Sequence, residues 1–241
     1  MSKKIFFAVA FAALVFAQGA KAQNVQLFYD FGDGRNYATT TFEMFKGDKF
    51  GDTFFFIDHY YNSTDDNYKA PGVSSAINGS YFEIERGINF WQDTNLKDLS
   101  AHIEYDGSTW GAGIWCFGAK YFLHNSDFSN TFTLALMYDL HRGIGEADIP
   151  IKFSGVWGMN DIFDVKGLVF KGFIDIWGLN STFANGNTAK FSILTEPQVW
   201  FNLGGAFDNH LDIGTEIELS YNFAGHEGFM CNPCAGLRWT F

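Results

Sequence analysis

Acidic side chains recur two residues apart in this 241-residue chain: Glu83 and Glu85, Glu104 and Asp106, Glu216 and Glu218. Paired carboxylates are the usual material of acid–base chemistry. The same spacing also arises without any catalytic demand, because residues i and i+2 of a strand share a face. His124-Asn125-Ser126 is the only close pairing of a base with a nucleophile. Cys231-Asn232-Pro233-Cys234 reads as a local disulfide, a redox motif or half a zinc site. A redox motif wants a strand-to-helix context, and zinc wants two further ligands where only His226 is close. A small loop disulfide between Cys231 and Cys234 is therefore the expectation. Cys116 makes the cysteine count odd, so a fully paired intrachain framework is excluded. No glycine-rich phosphate loop or metal-binding run occurs, and Gly32-Asp33-Gly34 is a turn. On these grounds no catalytic residue, cofactor or metal is expected.

The elements that would position these residues start after a leader. Residues 1–22 carry Lys3 and Lys4, an apolar run over 5–16 and Ala20-Lys21-Ala22 before Gln23, the pattern of a cleaved secretory signal. The run is too short to cross a bilayer as a helix, which takes about 20 apolar residues. The remaining residues 23–241 read as one exported domain. The whole chain has a formal net charge of -11, and losing Lys3, Lys4 and Lys21 makes it more negative. Such a chain is unsuited to nucleic acid or anionic lipid through net charge. Aromatic residues are 19% of the whole, with 29 Phe against 4 Pro, a load that suits aromatic girdles at two membrane interfaces.

The chain repeats one theme of about ten alternating residues followed by a turn. Strands are expected over 25–31, 38–46, 52–61, 79–90, 99–106, 112–124, 130–140, 149–157, 165–177, 190–203, 210–221 and 235–241. The last is strictly alternating, with Ala235, Leu237, Trp239 and Phe241 apolar between Gly236, Arg238 and Thr240. In water an aromatic terminal edge would invite aggregation. Closing a barrel in lipid, it would pair with the first strand and set its aromatics in a girdle. The fold class is thus all-β: a transmembrane antiparallel up-and-down barrel of about 12 strands. With both termini periplasmic, residues 62–78, 141–148, 179–189 and 222–233 become outer loops. The periplasmic turns are then 47–51, 92–98, 125–129 and 204–209. His124-Asn125-Ser126 falls at a periplasmic turn, the wrong end for a barrel lipase, whose Ser–His pair sits at the outer edge facing lipid.

In this register the polar face of each strand becomes the lumen. Candidate solute contacts are Glu43, Phe45, Phe56, Asp58, Tyr81, Glu83, Glu85, Glu104, Lys171, Asp175, Glu216 and Arg238. Inward aromatics can stack a planar ring, and carboxylates can accept hydrogen bonds from sugar hydroxyls. The plainer reading of the mixed charges is ion-pair bracing of a narrow barrel.

Residues 36–86 carry a further cue. Thr41-Phe42-Glu43-Met44-Phe45-Lys46 is followed by Gly47-Asp48 and an aromatic run ending at Asp58. A loop with Pro71-Gly72 then leads to Tyr81-Phe82-Glu83-Ile84-Glu85-Arg86. This segment resembles the start of the nucleoside-specific channel-forming outer-membrane proteins, the Tsx type. Beyond about residue 110 only the architecture matches, and the shorter loops and the Cys231–Cys234 segment depart from that family. The resemblance implies a monomeric outer-membrane barrel with a narrow pore for nucleosides, and carries Glu43, Asp58, Glu83 and Glu85 over as lumen contacts. The expected function is passive, selective diffusion of nucleosides or similar small solutes. The rival is a closed structural or adhesion barrel acting through its outer loops. The expected partners are the solute, outer-membrane lipid and barrel-assembly machinery that reads strand 235–241.

Overall fold

The computed structural model describes residues 23–61, 77–111, 113–142 and 147–241. The expected leader, residues 1–22, and most of the loop with Pro71-Gly72 lie outside the described residues. Alternating apolar and polar side chains produce thirteen strand segments. These are β1 (Gln23–Asp30), β2 (Tyr37–Asp48), β3 (Gly51–Tyr61), β4 (Gly79–Ile88), β5 (Leu99–Ser108), β6 (Gly113–His124), β7 (Asn130–Arg142), β8 (Ile151–Asn160), β9 (Leu168–Thr182), β10 (Thr188–Thr195), β11 (Gln198–Asn202), β12 (Leu211–Tyr221) and β13 (Phe229–Thr240). All pairings are antiparallel, and β13 pairs with both β12 and β1, which closes the sheet.

The barrel has twelve strands, because β10 and β11 share one position between β9 and β12. The single strand expected over 190–203 is interrupted at Glu196-Pro197. Proline has no amide hydrogen to give the ladder, so the strand breaks there and resumes at Gln198. Two short 3₁₀ turns, Ile162–Asp164 and Gly204–Phe207, are the remaining regular elements among the described residues.

The outward face is apolar: Leu27, Leu136, Tyr138 and Ile213 are all exposed on the barrel's outside. Phe90, Phe128, Phe163 and Trp239 lie exposed near the rim that carries the chain termini, and Phe31 and Phe229 near the opposite rim. An apolar belt between two aromatic girdles is the surface a bilayer requires, whereas in water it would be a large aggregation-prone patch. Among the described residues, no helix is long and apolar enough to cross a membrane.

Inside, one wall is packed by Phe28 against Trp200, with ring centroids 5.5 Å apart. Gly214 and Gly236, paired across β12 and β13, make room for them. A Cβ on Gly236 would meet the Phe28 ring, and one on Gly214 would overlap Trp200.

The expected Cys231–Cys234 disulfide is overturned. β13 begins at Phe229, so the cysteines lie on a strand and the outer loop shrinks to residues 222–228. Cys231 pairs with Leu219 and is exposed on the outside, while Cys234 pairs with Glu216 and is buried inside. Three residues along a strand span about 10 Å, beyond the roughly 7 Å limit for bridged Cα atoms. Both thiols are free.

Candidate functional site

Strand register builds the lumen wall. Cross-strand partners share a face, so one inward residue fixes its neighbours around the barrel. One such row runs Asn24, Glu43, Phe56, Glu83, Asp106. Another runs Phe45, Phe54, Glu85, Glu104, Cys116, Asp139. Asp58 pairs with Tyr81, Lys171 with Gln198, Gln198 with Glu216, and Arg238 with Asp212. The structure thereby puts Glu43, Phe45, Phe56, Asp58, Tyr81, Glu83, Glu85, Glu104, Lys171, Asp175, Glu216 and Arg238 on the inward face. Phe45 is the outlier, close to the rim of the termini and half exposed.

These residues gather into two charged clusters. In the first, Lys152 Nζ donates to Glu104 Oε1 at 2.6 Å and lies 3.1 Å from Asp175. His102 Nε2 lies 3.0 Å from Glu104 Oε2 and 3.7 Å from Glu85 Oε2. Lys120 reaches Asp52 at 2.5 Å, and the Tyr81 hydroxyl donates to Glu83 at 3.1 Å. In the second, Arg35 forks onto both oxygens of Glu218 at 2.8 and 2.7 Å and onto Asp30 at 3.0 Å. Asn232 also donates to Glu218. Arg238 donates to Asp212 at 2.8 Å, and its guanidinium lies 4.7 Å from the Trp200 ring centroid. Gln198 ties Trp200 to Glu216, accepting from the indole N–H and donating to the carboxylate.

A third feature is aromatic. Phe54, Phe56 and Tyr81 form a ladder on the inner wall of β3 and β4, with centroid steps of 5.9 and 5.7 Å. Nearer the outer rim, Tyr60 contacts both Tyr37 and Trp110, at 5.9 and 5.7 Å. Carboxylates flank the ladder: Glu43 pairs with Phe56 across β2 and β3, and Asp58 with Tyr81 across β3 and β4.

Sequence reasoning missed Arg35, which sits in the β1–β2 turn and reaches the lumen only through the fold. It also missed Gln26, Gln198, Trp200 and Asn232. Gln26 was findable, since it alternates with Val25 and Leu27 on β1, but Trp200 as an inward residue breaks the polar-in rule.

At the outer rim, Asn185 and Asn187 of the β9–β10 turn donate to the Glu227 carboxylate at 2.6 and 2.8 Å, tying two loops together. These hydrogen bonds hold the Glu227 carboxyl below its ordinary value of 4.5. At the opposite rim His124 gives Nδ1 to the Asn125 carbonyl and stacks on Phe128, and its Nε2 lies 3.7 Å from Asp98. Its contacts therefore go elsewhere than Ser126.

The closed sheet, apolar belt and charged interior define a transmembrane β-barrel with the architecture of outer-membrane porins. The chain belongs to the family described as Domain of unknown function (DUF5020), whose model matches residues 22–241. No curated protein matches it. Among solved structures it is similar to NanC porin, with a TM-score of 0.57 and 10% identity over 91% of this chain and 100% of that one. It also aligns with the Acinetobacter baumannii outer membrane protein Omp33, at a TM-score of 0.45 and 10% identity over 93% of this chain and 100% of that one.

Proposed function

We propose that the protein is an outer-membrane channel for passive diffusion of small polar solutes, with nucleosides or similar ring-bearing, hydroxyl-rich molecules as its cargo. The observation that carries this reading is the Phe54–Phe56–Tyr81 ladder with carboxylates beside it. A planar base can move from one ring of this tilted series to the next while its sugar hydroxyls donate to Glu43, Asp58 or Glu83. Stacking on an aromatic is worth about 1–3 kcal/mol per base and tolerates sequence, enough to select such solutes without trapping them. The carboxylate-rich wall disfavours anions, which fits neutral nucleosides better than nucleotides. The resemblance of residues 36–86 to the nucleoside channels points the same way. The apolar belt implies outer-membrane lipid as the surrounding solvent. The terminal strand ending in Trp239-Thr240-Phe241 is the segment that barrel-assembly machinery would read, and the barrel closed on itself suits a monomer.

A second reading, a closed structural or adhesion barrel, draws on one observation. His102, Glu104 and Lys152 are buried to 3%, 3% and 7% exposure, as in a braced interior rather than an aqueous pore. Single-channel conductance of the folded protein in a planar bilayer, titrated with adenosine and then thymidine, separates the two. Conductance blocked by nucleoside at sub-millimolar levels supports the channel and its cargo. Conductance without block removes the nucleoside, and a folded but silent barrel removes transport.

A further inference from the structure

Glu85, His102 and Glu104 line one side of a small cavity of about 20 Å³ whose other walls come from β6, β7 and β8, room for one water or one ion. We propose that these three residues bind one first-row divalent cation, such as Zn²⁺, in the barrel wall.

The geometry comes first. Three donors each about 2.1 Å from a common metal lie within roughly 4.2 Å of one another. His102 Nε2 is 3.0 Å from Glu104 Oε2 and 3.7 Å from Glu85 Oε2, so both distances already fit. Lys152 holds the other oxygen of Glu104 at 2.6 Å. That contact turns Oε2 toward His102, as outer partners of metal-bound carboxylates do. Lys120 also lines the cavity, but its ammonium is engaged by Asp52.

The surroundings call for a cation. Beside the cavity, Glu104, Asp106 and Asp175 gather about the Lys152 ammonium, and Glu83 and Glu85 stand across from Asp106 and Glu104 on β4. Buried like charges at this density are costly unless a counter-charge joins them. Two buried polar atoms of the same strand lack partners. His102, only 3% exposed, has no hydrogen-bond partner at Nδ1, and Asp106, 5% exposed, has none at Oδ1. On metal binding, the Nε2 lone pair coordinates while the ring keeps its hydrogen on the unpartnered Nδ1. One imidazole with two carboxylates suits zinc, manganese, iron or cobalt rather than calcium, which takes oxygen ligands. Three protein donors leave the fourth position to a water in the cavity.

The test uses full-length, chelator-treated protein folded in detergent micelles. Its folded state is checked by heat-modifiable mobility in gels. Co²⁺ is titrated against visible absorption, with Zn²⁺ competition by calorimetry. One saturable equivalent is expected, with His102→Gln and Glu85→Gln each weakening affinity by more than about tenfold and the loop variant Glu227→Gln leaving it unchanged. Absence of saturable binding, or wild-type affinity in a folded His102→Gln barrel, overturns the site. If His102→Gln does not fold, Glu85→Gln decides by the same criterion. Binding is read without any conduction, so failure of the channel reading leaves this result interpretable.

Discussion

Lys171 on β9 reaches across the lumen to Glu43 on β2, placing its ammonium 3.3 Å from both carboxylate oxygens. The two strands stand five places apart around a twelve-strand ring, nearly opposite walls. Asn24 donates to the same carboxylate at 2.9 Å and fixes the bar at its β2 end. At 23% and 21% side-chain exposure, the pair is wetter than the Lys152 and Arg35 pairs. It also stands beside the aromatic ladder, since Glu43 and Phe56 are cross-strand partners. Anything moving along the ladder meets this bar.

Removing the bar should widen the path. Lys171→Ala is expected to raise single-channel conductance in the planar bilayer and to shift ion selectivity further toward cations, because Glu43 loses its counter-charge. Reversal potentials in a salt gradient measure the second effect. Unchanged conductance and selectivity would show that solutes do not pass this pair.

The ladder should set cargo affinity. Phe56→Ala removes the central ring and is expected to weaken nucleoside block by about 1–3 kcal/mol, roughly tenfold or more, with little change in open conductance. Leu136→Ala, on the outward face, should leave block near the wild-type value. Equal block in both variants would sink the stacking account.

Arg35 should matter for stability rather than transport. Its guanidinium neutralises Asp30 and Glu218 at once, so Arg35→Ala leaves two buried carboxylates without their cation. Breaking such a buried pair costs about 3–5 kcal/mol. Urea unfolding in lipid vesicles should move to lower denaturant, and Arg35→Lys, lacking the fork, should recover only part of the loss.

The outer loops should loosen in acid. Glu227 has its folded pKa depressed by Asn185 and Asn187. Its contribution is therefore fully present above the ordinary value of 4.5 and lost as pH falls through the lower folded value. Hydrogen exchange of residues 183–187 and 222–228 should accelerate as the pH falls below 4.5 toward that lower folded value. In Glu227→Gln that acid step should disappear.

The cysteines offer a direct check on the strand assignment. With Cys231 outside and Cys234 inside, peptide mapping after oxidation should find no Cys231–Cys234 bridge. A lipid-soluble maleimide should label Cys231 ahead of Cys234 and Cys116. A recovered bridge would contradict the strand that carries both.

The strands and their facing were legible because alternation is local. Leu27 against Gln26, or Ile103 against Glu104, declares its side within three residues, and a two-residue period leaves no third choice. That is why the inward positions Glu43, Glu85 and Glu216 were readable one strand at a time, and why twelve strands and a closing edge at Phe241 followed. Where a turn began was less secure. Cys231-Asn232-Pro233-Cys234 carries Asn and Pro, which read as a loop, yet pairing along Leu219, Glu218, Ile217 and Glu216 holds it in the sheet.

Partnership was decided only by tertiary structure. Lys171 and Glu43 are 128 residues apart and Arg35 and Glu218 183 apart; no local pattern links them. They meet because each register fixes the next around the ring, and closure of β13 on β1 turns those steps into a circumference. Which carboxylate receives a lysine, which shares a histidine and which is left beside a cavity all follow from that closure. The sequence alone determined the alternating wall and its chemistry, while the shear of the closed barrel determined which of those groups face one another.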